Sequence, residues 1–422
     1  MPKLINVATS PSDLVPYPQR GSVLAEEEVE AITEVLRSGV PLSGGVYREA
    51  FEQRFRELVG ARHALSVTSG TVALSLAVSL LGLRPGDELI VTPQTYKATI
   101  QPLLDYPVTV RFCDVDPLTL NADPASIEAL VTERTKAILL VHYGGLPADM
   151  DRIMGTARRH GILVVEDCAH ALGSRYRDQR PGALADIGCF SFHTSKNITT
   201  LGEGGMVTVH NAEHGDEWAE RLDRMRSNDS DADYVPAQLR IGDREDAPSW
   251  MMHAGNSYTH DCVELRHPGT NATLSEPSAA VGIAQLDRLE RLVMRRRENA
   301  ARITDVLRAF PFVEPVAEPA DAVNAYHLYT FFLDPAVGVT RDSVVERMRQ
   351  LGVQLQLRYF PLHLLPEWRA RGHRFGECPV AEEVWFRRQV NVPCQPSLSD
   401  QQVSHLLEAL HTVLTEVERT AR

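Results

Sequence analysis

Lysine is scarce in this chain: Lys3, Lys97, Lys136 and Lys196 stand against 39 arginines in 422 residues. Lysine is therefore not its ordinary surface charge, and each one asks for a reason. A CxxC pair is also missing. The six cysteines, Cys113, Cys168, Cys189, Cys262, Cys378 and Cys394, have spacings that suit neither zinc nor a disulfide framework. No metal is expected, and the thiols read as buried cytoplasmic ones. No apolar run approaches the roughly 18 residues of a membrane span, and the amino-terminal residues lack a basic region followed by an apolar stretch. A signal peptide and a membrane partner are thus not expected, and the location predicted is cytoplasmic. Long basic stretches are absent too. The longest, Arg295-Arg296-Arg297, reads as the solvated face of a helix. With a net charge of −13, nucleic acid is not an expected partner. Finally, no G-x-G-x-x-G follows the first strand, which argues against a dinucleotide-binding oxidoreductase.

What is present alternates. Short runs rich in Val, Ile and Leu at 64–68, 88–92, 108–115, 136–142, 162–166, 186–193 and 206–210 read as strands. Helical patterns at 71–81, 98–104, 124–132 and 150–159 lie between them. Strands apolar on both faces predict an α/β fold with a mostly parallel sheet between helices, and ligands at the strands' carboxyl ends. Residues 211–268 are polar and without period, and 228–246 reads as a long loop or lid. Residues 269–309 read as mostly helical. A smaller carboxyl-terminal domain follows, with strands at 326–333 and 353–358 and helices at 341–351 and 400–418. The expected division is a large domain at 15–285, with 211–268 as a loop or insert, and a small α+β domain with its linking helix at 286–422.

Three places carry chemistry. Ser66-Val67-Thr68-Ser69-Gly70-Thr71 takes a strand into a helix through small residues, and a helix amino terminus binds phosphate through unpaired N–H groups. Glu166-Asp167 ends a strand, whose period of two sends the two carboxylates to opposite faces. Only one can face a site there, and Asp167 is the choice, as partner for a protonated ring nitrogen. Lys196 lies in Ser191-Phe192-His193-Thr194-Ser195-Lys196-Asn197, ahead of the turn Gly202-Glu203-Gly204-Gly205. Its amine can form a Schiff base, which an always-protonated guanidinium cannot. Ser191 can add a second phosphate donor. An anion nest, a pyridinium partner and a Schiff-base amine, in that order on a parallel sheet, describe a pyridoxal phosphate site.

With these stretches, and with Gly44–Glu52, Pro93–Thr99, Val141–Gly145 and Arg358-Tyr359-Phe360-Pro361-Leu362-His363, residues 18–415 resemble the DegT/DnrJ/EryC1/StrS sugar aminotransferases of the aspartate aminotransferase (fold type I) superfamily. The resemblance implies a large domain with a seven-stranded sheet and pyridoxal 5′-phosphate as cofactor. Lys196 would hold it as a Schiff base and Asp167 would pair with its ring nitrogen. His170 would stand near its phenolic oxygen, and Tyr96 would stack on its ring. Gly70, Thr71 and Ser191 would bind its phosphate. Asn271 would reach the cofactor of a neighbouring subunit, which implies a homodimer with sites at the interface.

The implied reaction moves an amino group from L-glutamate or L-glutamine to a keto-sugar, with a nucleotide-linked keto-sugar as the lead acceptor in amino-sugar biosynthesis. Arg266, Arg358 and His363 are candidate partners for its diphosphate. The family's Asn-Tyr-Arg is here Asn271-Ala272-Thr273. That departure, with the long 211–268 segment, keeps open a keto-cyclitol of aminocyclitol antibiotic assembly. A sugar dehydratase of the same family would carry His in place of Lys196. A non-catalytic regulator on the same fold would not need Lys196, Asp167 and the phosphate residues together.

Overall fold

A strand whose residues are apolar at every position needs cover on both faces. This computed structural model, which describes residues 14–17, 20–228 and 269–421, provides it. Helices α1 (Glu26–Ser38) and α2 (Val46–Val59) come first. Then follow β1 (His63–Val67), α3 (Gly70–Leu80), β2 (Glu88–Val91), β3 (Thr109–Phe112), α4 (Pro124–Leu130), β4 (Thr135–Val141), α5 (Met150–His160), β5 (Leu163–Asp167), β6 (Arg175–Tyr176), β7 (Ile187–Ser191), β8 (Gly205–Val209) and α6 (Gly215–Arg226). Seven strands pair in the order β1-β8-β7-β5-β4-β2-β3. Only β8 runs against its neighbours; the β3–β2, β2–β4, β4–β5 and β5–β7 pairs are parallel.

Alternation along the strands sorts the core. Leu89, Val91, Leu139 and Val165 pack in one apolar cluster with Leu74 and Val78 of α3 and Leu222 of α6. Their neighbours Ile90, Ile138, Leu140 and Val164 pack in another with Ile127 of α4 and Ile153 and Ala157 of α5. The same alternation, carried to the end of β5, sends Asp167 and Glu166 to opposite faces.

The rest comprises α7 (Glu276–Asp287), α8 (Leu289–Leu307), β9 (Val313–Pro315), β10 (Ala322–Val323), β11 (Tyr329–Leu333), α9 (Arg341–Gln350), α10 (Pro366–Arg369), α11 (Pro379–Glu383), β12 (Gln389–Val392) and α12 (Asp400–Ala421). Strands β12-β11-β9 form an antiparallel sheet. Ile303 and Leu307 of α8, Met348 of α9 and Leu410 of α12 join its apolar cluster. Helix α8 spans two cores, because Leu289, Leu292 and Val293 belong to a cluster with Phe51, Phe55 and Phe192. A short β6–β10 ribbon ties the two sheets' surroundings together.

Several expectations need correction. The 98–104 helix is two 3₁₀ turns, Lys97–Thr99 and Gln101–Asp105; Pro102 lacks the N–H that a continuous α-helix requires there. The 353–358 strand reduces to isolated bridges, Val15↔Val353 and Gln356↔Asn391. It stops because the Asn391 side chain, rather than another backbone carbonyl, accepts from the Arg358 amide at 2.7 Å. Within 211–268, α6 replaces loop, burying Trp218, Leu222 and Met225. Its dense charge hid that three- and four-residue spacing. Residues 229–268, with Arg266, Cys262 and nearly all of the loop read at 228–246, lie outside the described residues. The arginine run is not a solvated face throughout: Arg296 is buried and donates to the Tyr326 carbonyl at 3.0 Å. The other five cysteines are buried and free. Among the described residues no helix is long and apolar enough to cross a membrane.

Candidate active site

Three strands end around one cavity of about 340 Å³. At the first, the Ser69 hydroxyl caps α3 by accepting from the Val72 amide at 3.2 Å. Gly70 and Thr71 open the helix, where N–H groups lack intrahelical partners and the helix dipole favours an anion. At the second, β7 delivers Ser191. A Cβ on Gly70 would lie 2.7 Å from the Ser191 Cβ, so glycine is what lets these two segments meet. At the third, β5 delivers Asp167. Seven of the eight residues selected from the sequence line this cavity: Gly70, Thr71, Tyr96, Asp167, His170, Ser191 and Lys196. Asn271 does not. It is exposed, on an extended segment bridged to Ser227.

The adjacent carboxylates of β5 have different surroundings. Asp167 faces the cavity, accepting from the Thr99 hydroxyl at 2.6 Å and the Ala169 amide at 3.0 Å. Glu166 faces away and is wholly buried. It accepts from the amides of Gly182, Leu184 and Ala185 at 3.0, 3.1 and 2.8 Å. His142 Nε2 lies 2.8 Å from it, while His142 Nδ1 accepts from the Ala148 amide, so the Nε2–H donates to Glu166. Glu166, His142 and Cys168 sit close enough together to suggest a metal site, but the carboxylate is already occupied by these donors.

The lysine loop is held from both sides. Phe192 N donates to Gly204 O at 2.7 Å and Thr194 N to Gly202 O at 2.9 Å. A Cβ on Gly204 would collide with the Thr200 hydroxyl at 2.0 Å, and one on Gly205 with Ser69 O at 2.5 Å. Opposite, the Gly21 amide donates to Thr194 O at 2.8 Å, and a Cβ there would fall 1.9 Å from Ser195 O. Arg296 reaches the Gly21 carbonyl from the core. Burial lowers the Lys196 amine to about 8, with the Arg358 charge adding to that and Asp167 opposing it.

Behind the lysine, His170 stacks on His327 at 4.3 Å and contacts the Tyr359 hydroxyl through Nε2 at 3.2 Å. Both imidazoles are pushed well below the ordinary histidine range, first by burial and then by neighbouring cations, so both are neutral. His170 Nδ1 and His327 Nε2 are buried without a partner among the described residues. His327 Nδ1 lies 3.3 Å from the side-chain oxygen of Asn197, the residue after the lysine. Tyr96 stands half-exposed at the rim, its ring 6.0 Å from that of Tyr359. Arg358 lines the cavity, whereas His363 is buried against Glu382 at 2.8 Å and cannot meet a diphosphate. Sequence reading missed Gly21, Thr99 and His327. Only Thr99 left a usable trace, as a hydroxyl just beyond the carboxyl end of β2.

The model of the DegT/DnrJ/EryC1/StrS aminotransferase family matches residues 22–411. The spore coat polysaccharide biosynthesis protein SpsC of Bacillus subtilis (strain 168) is 33% identical over 395 residues, covering 93% of this chain and 95% of SpsC. Among solved structures, the PLP form of Spr1654 from Streptococcus pneumoniae superposes with a TM-score of 0.82 at 25% identity, covering 96% of this chain and 99% of that one. The sugar aminotransferase CalS13 from Micromonospora echinospora gives 0.79 at 27% identity, covering 94% and 100%.

Proposed function

The chain belongs to the DegT/DnrJ/EryC1/StrS aminotransferase family, and from that premise we propose that it moves an amino group from L-glutamate or L-glutamine to a keto-sugar in amino-sugar biosynthesis. The observation that carries this reading is the convergence of Lys196, Asp167 and the Gly70–Ser191 cradle on one cavity. The cofactor of this family of enzymes is pyridoxal 5′-phosphate. The cavity suits it: an anion nest at α3 kept open by Gly70, a buried carboxylate and a half-buried amine lining one cavity, and an unpartnered His170 Nδ1. In this reading residues 15–285 carry the cofactor domain and 286–422 the smaller domain.

When bound, pyridoxal phosphate acts as the electron sink that lets the bond to hydrogen beside the nitrogen break. Gly70, Thr71 and Ser191 hold the phosphate. Asp167, kept in place by Thr99 and Ala169, holds the ring nitrogen's proton. Tyr96 covers a ring face. His170, neutral, offers a hydrogen bond without adding charge. Lys196 would anchor the cofactor, and its freed amine would take the proton from the donor's α-carbon and deliver it to the cofactor's C4′ carbon. At about 8, the amine is closer to neutrality in physiological solution than an ordinary lysine, as general acid–base work requires.

The exposed Asn271, outside its own chain's cavity, supports a homodimer in which it serves the partner's cofactor. We place the enzyme in the cytoplasm and take a nucleotide-linked keto-sugar as the lead acceptor. A keto-cyclitol is the second reading, favoured by the burial of His363 on Glu382, which removes one expected diphosphate partner. An amination screen tests these: dTDP- and UDP-keto-sugars beside scyllo-inosose, with both donors. Turnover of nucleotide-linked ketones is expected, and turnover of the free ketone alone overturns the lead.

A further inference from the structure

One buried side chain behind the lysine takes no part in the reaction outlined above. His327 is not among the residues lining the cavity, yet its ring stacks on that of His170 with 4.3 Å between centroids and a tilt of 21°. Its Nδ1 lies 3.3 Å from the side-chain oxygen of Asn197. Hydrogen-bond logic fixes where its hydrogen sits. Asn197 Nδ2 donates to the Leu172 carbonyl at 3.0 Å, so the atom facing His327 is the amide oxygen, which can only accept. In the neutral ring Nδ1 therefore carries the hydrogen, and Nε2 is a bare lone pair. That second nitrogen is buried without a partner among the described residues.

The backbone that presents this ring is fixed on both sides. The Ala325 amide donates to the Gly145 carbonyl at 3.1 Å, and the Leu328 amide to the Gly144 carbonyl at 3.0 Å. Arg296 of α8 donates to the carbonyls of Tyr326 and His327. Tyr326 itself has a φ of +46°. That is the left-handed region, which a bulky residue enters only where its surroundings impose it, and such enforced conformations gather at functional sites. A residue needed only to fill space there would be phenylalanine, whose flat ring stacks on an imidazole and leaves no buried nitrogen unpaired. What histidine adds is a donor, and the donor reaches the residue directly after Lys196. One ring thus touches the lysine loop through Asn197 and the cavity wall through His170.

We propose that His327 is a positioning residue for Lys196: its Nδ1–H holds the lysine loop through Asn197 while its ring backs His170, so that the amine and the imidazole keep one register. This rests on the aminotransferase reading for the molecule that the lysine captures. The first measurement uses the cofactor-free chain. Imidazole nitrogen NMR, with the His327 signals assigned by their loss in the variants below, should show the hydrogen on Nδ1 and a bare Nε2. A hydrogen on Nε2 overturns the proposal. Next, His327→Phe keeps a flat ring without a donor, and His327→Asn keeps a donor near the Nδ1 position without the ring. Both are compared with the unchanged protein for uptake of pyridoxal phosphate and for its covalent capture by Lys196, read by borohydride reduction and mass analysis. His327→Phe is expected to slow capture about tenfold with little change in uptake, as loss of a supporting hydrogen bond does to a placed reactive group. His327→Asn should recover most of that rate. Equal slowing in both variants, or unchanged capture in His327→Phe, overturns the proposal. An unchanged protein that takes up no pyridoxal phosphate sinks the aminotransferase reading instead, whereas the nitrogen signals bear on His327 alone.

Discussion

On one face of the sheet Glu166 accepts from three backbone amides and His142, whereas on the other Asp167 accepts from one hydroxyl and one amide and looks into a cavity. The two are chain neighbours of like chemistry. The difference is what surrounds each: Glu166 is saturated by the loop 182–185, so its charge is spent on holding that loop. Asp167 keeps bonding capacity for a ligand. A related contrast separates Arg296, buried and donating to the carbonyls of Gly21, Tyr326 and His327, from Arg358, which lines the cavity. Function resides where a charged group is positioned but left incompletely satisfied.

The contrast can be broken in several places. The largest effect belongs to Lys196→Ala, expected to lower transamination by at least roughly 10⁴-fold while leaving the thermal midpoint near that of the unchanged protein. Borohydride reduction followed by mass analysis should then find no cofactor on the chain. Normal turnover by this variant would remove the lysine from its role. Asp167→Asn comes next: it keeps the shape but removes the charge, and the donor half-reaction should slow by roughly 10²–10³-fold with little loss of stability. Glu166→Gln should do the reverse. Its amide NH₂ confronts backbone N–H groups, and a loss of about 3 kcal/mol of stability is expected by thermal or urea unfolding. If the two variants changed activity and stability alike, the division between the faces would fail.

A smaller effect is expected at Gly21. A methyl there meets the backbone of the lysine loop, and Gly21→Ala should cost about 1–3 kcal/mol and slow covalent cofactor capture more than it changes non-covalent uptake. The gentlest test is pH. Only the neutral amine attacks an aldehyde, and the Lys196 amine is lowered to about 8. Capture by cofactor-free protein should therefore rise about tenfold per pH unit below that value, as a single titrating amine requires, and level off above it. A rise continuing towards 10.5, the ordinary lysine value, would show that burial does not act on this amine.

Much of the sheet could be read from residue order, because strands covered on both faces announce themselves as short apolar runs. The period of two correctly separated Asp167 from Glu166, and the glycines around Lys196 marked a crowded loop. Helices α1, α2 and α6 escaped notice where charge is dense. Pro102 marks, in the sequence itself, the place where a continuous α-helix cannot form. Gly21 and His327 could not have been chosen, since each is far along the chain from Lys196 and gains its meaning by contact.

The residues alone thus determined which chemistry is possible: one amine, one carboxylate and an anion nest delivered by successive strand ends, all consequences of local alternation and turn composition. Only the tertiary structure decided the state of those groups. Burial depresses the lysine and keeps two histidines neutral, and packing brings Arg358 to a cavity whose lysine lies 162 positions earlier in the chain. Solvation and pairing depend on what is near in space, and nearness across that length of chain is set by the folded core.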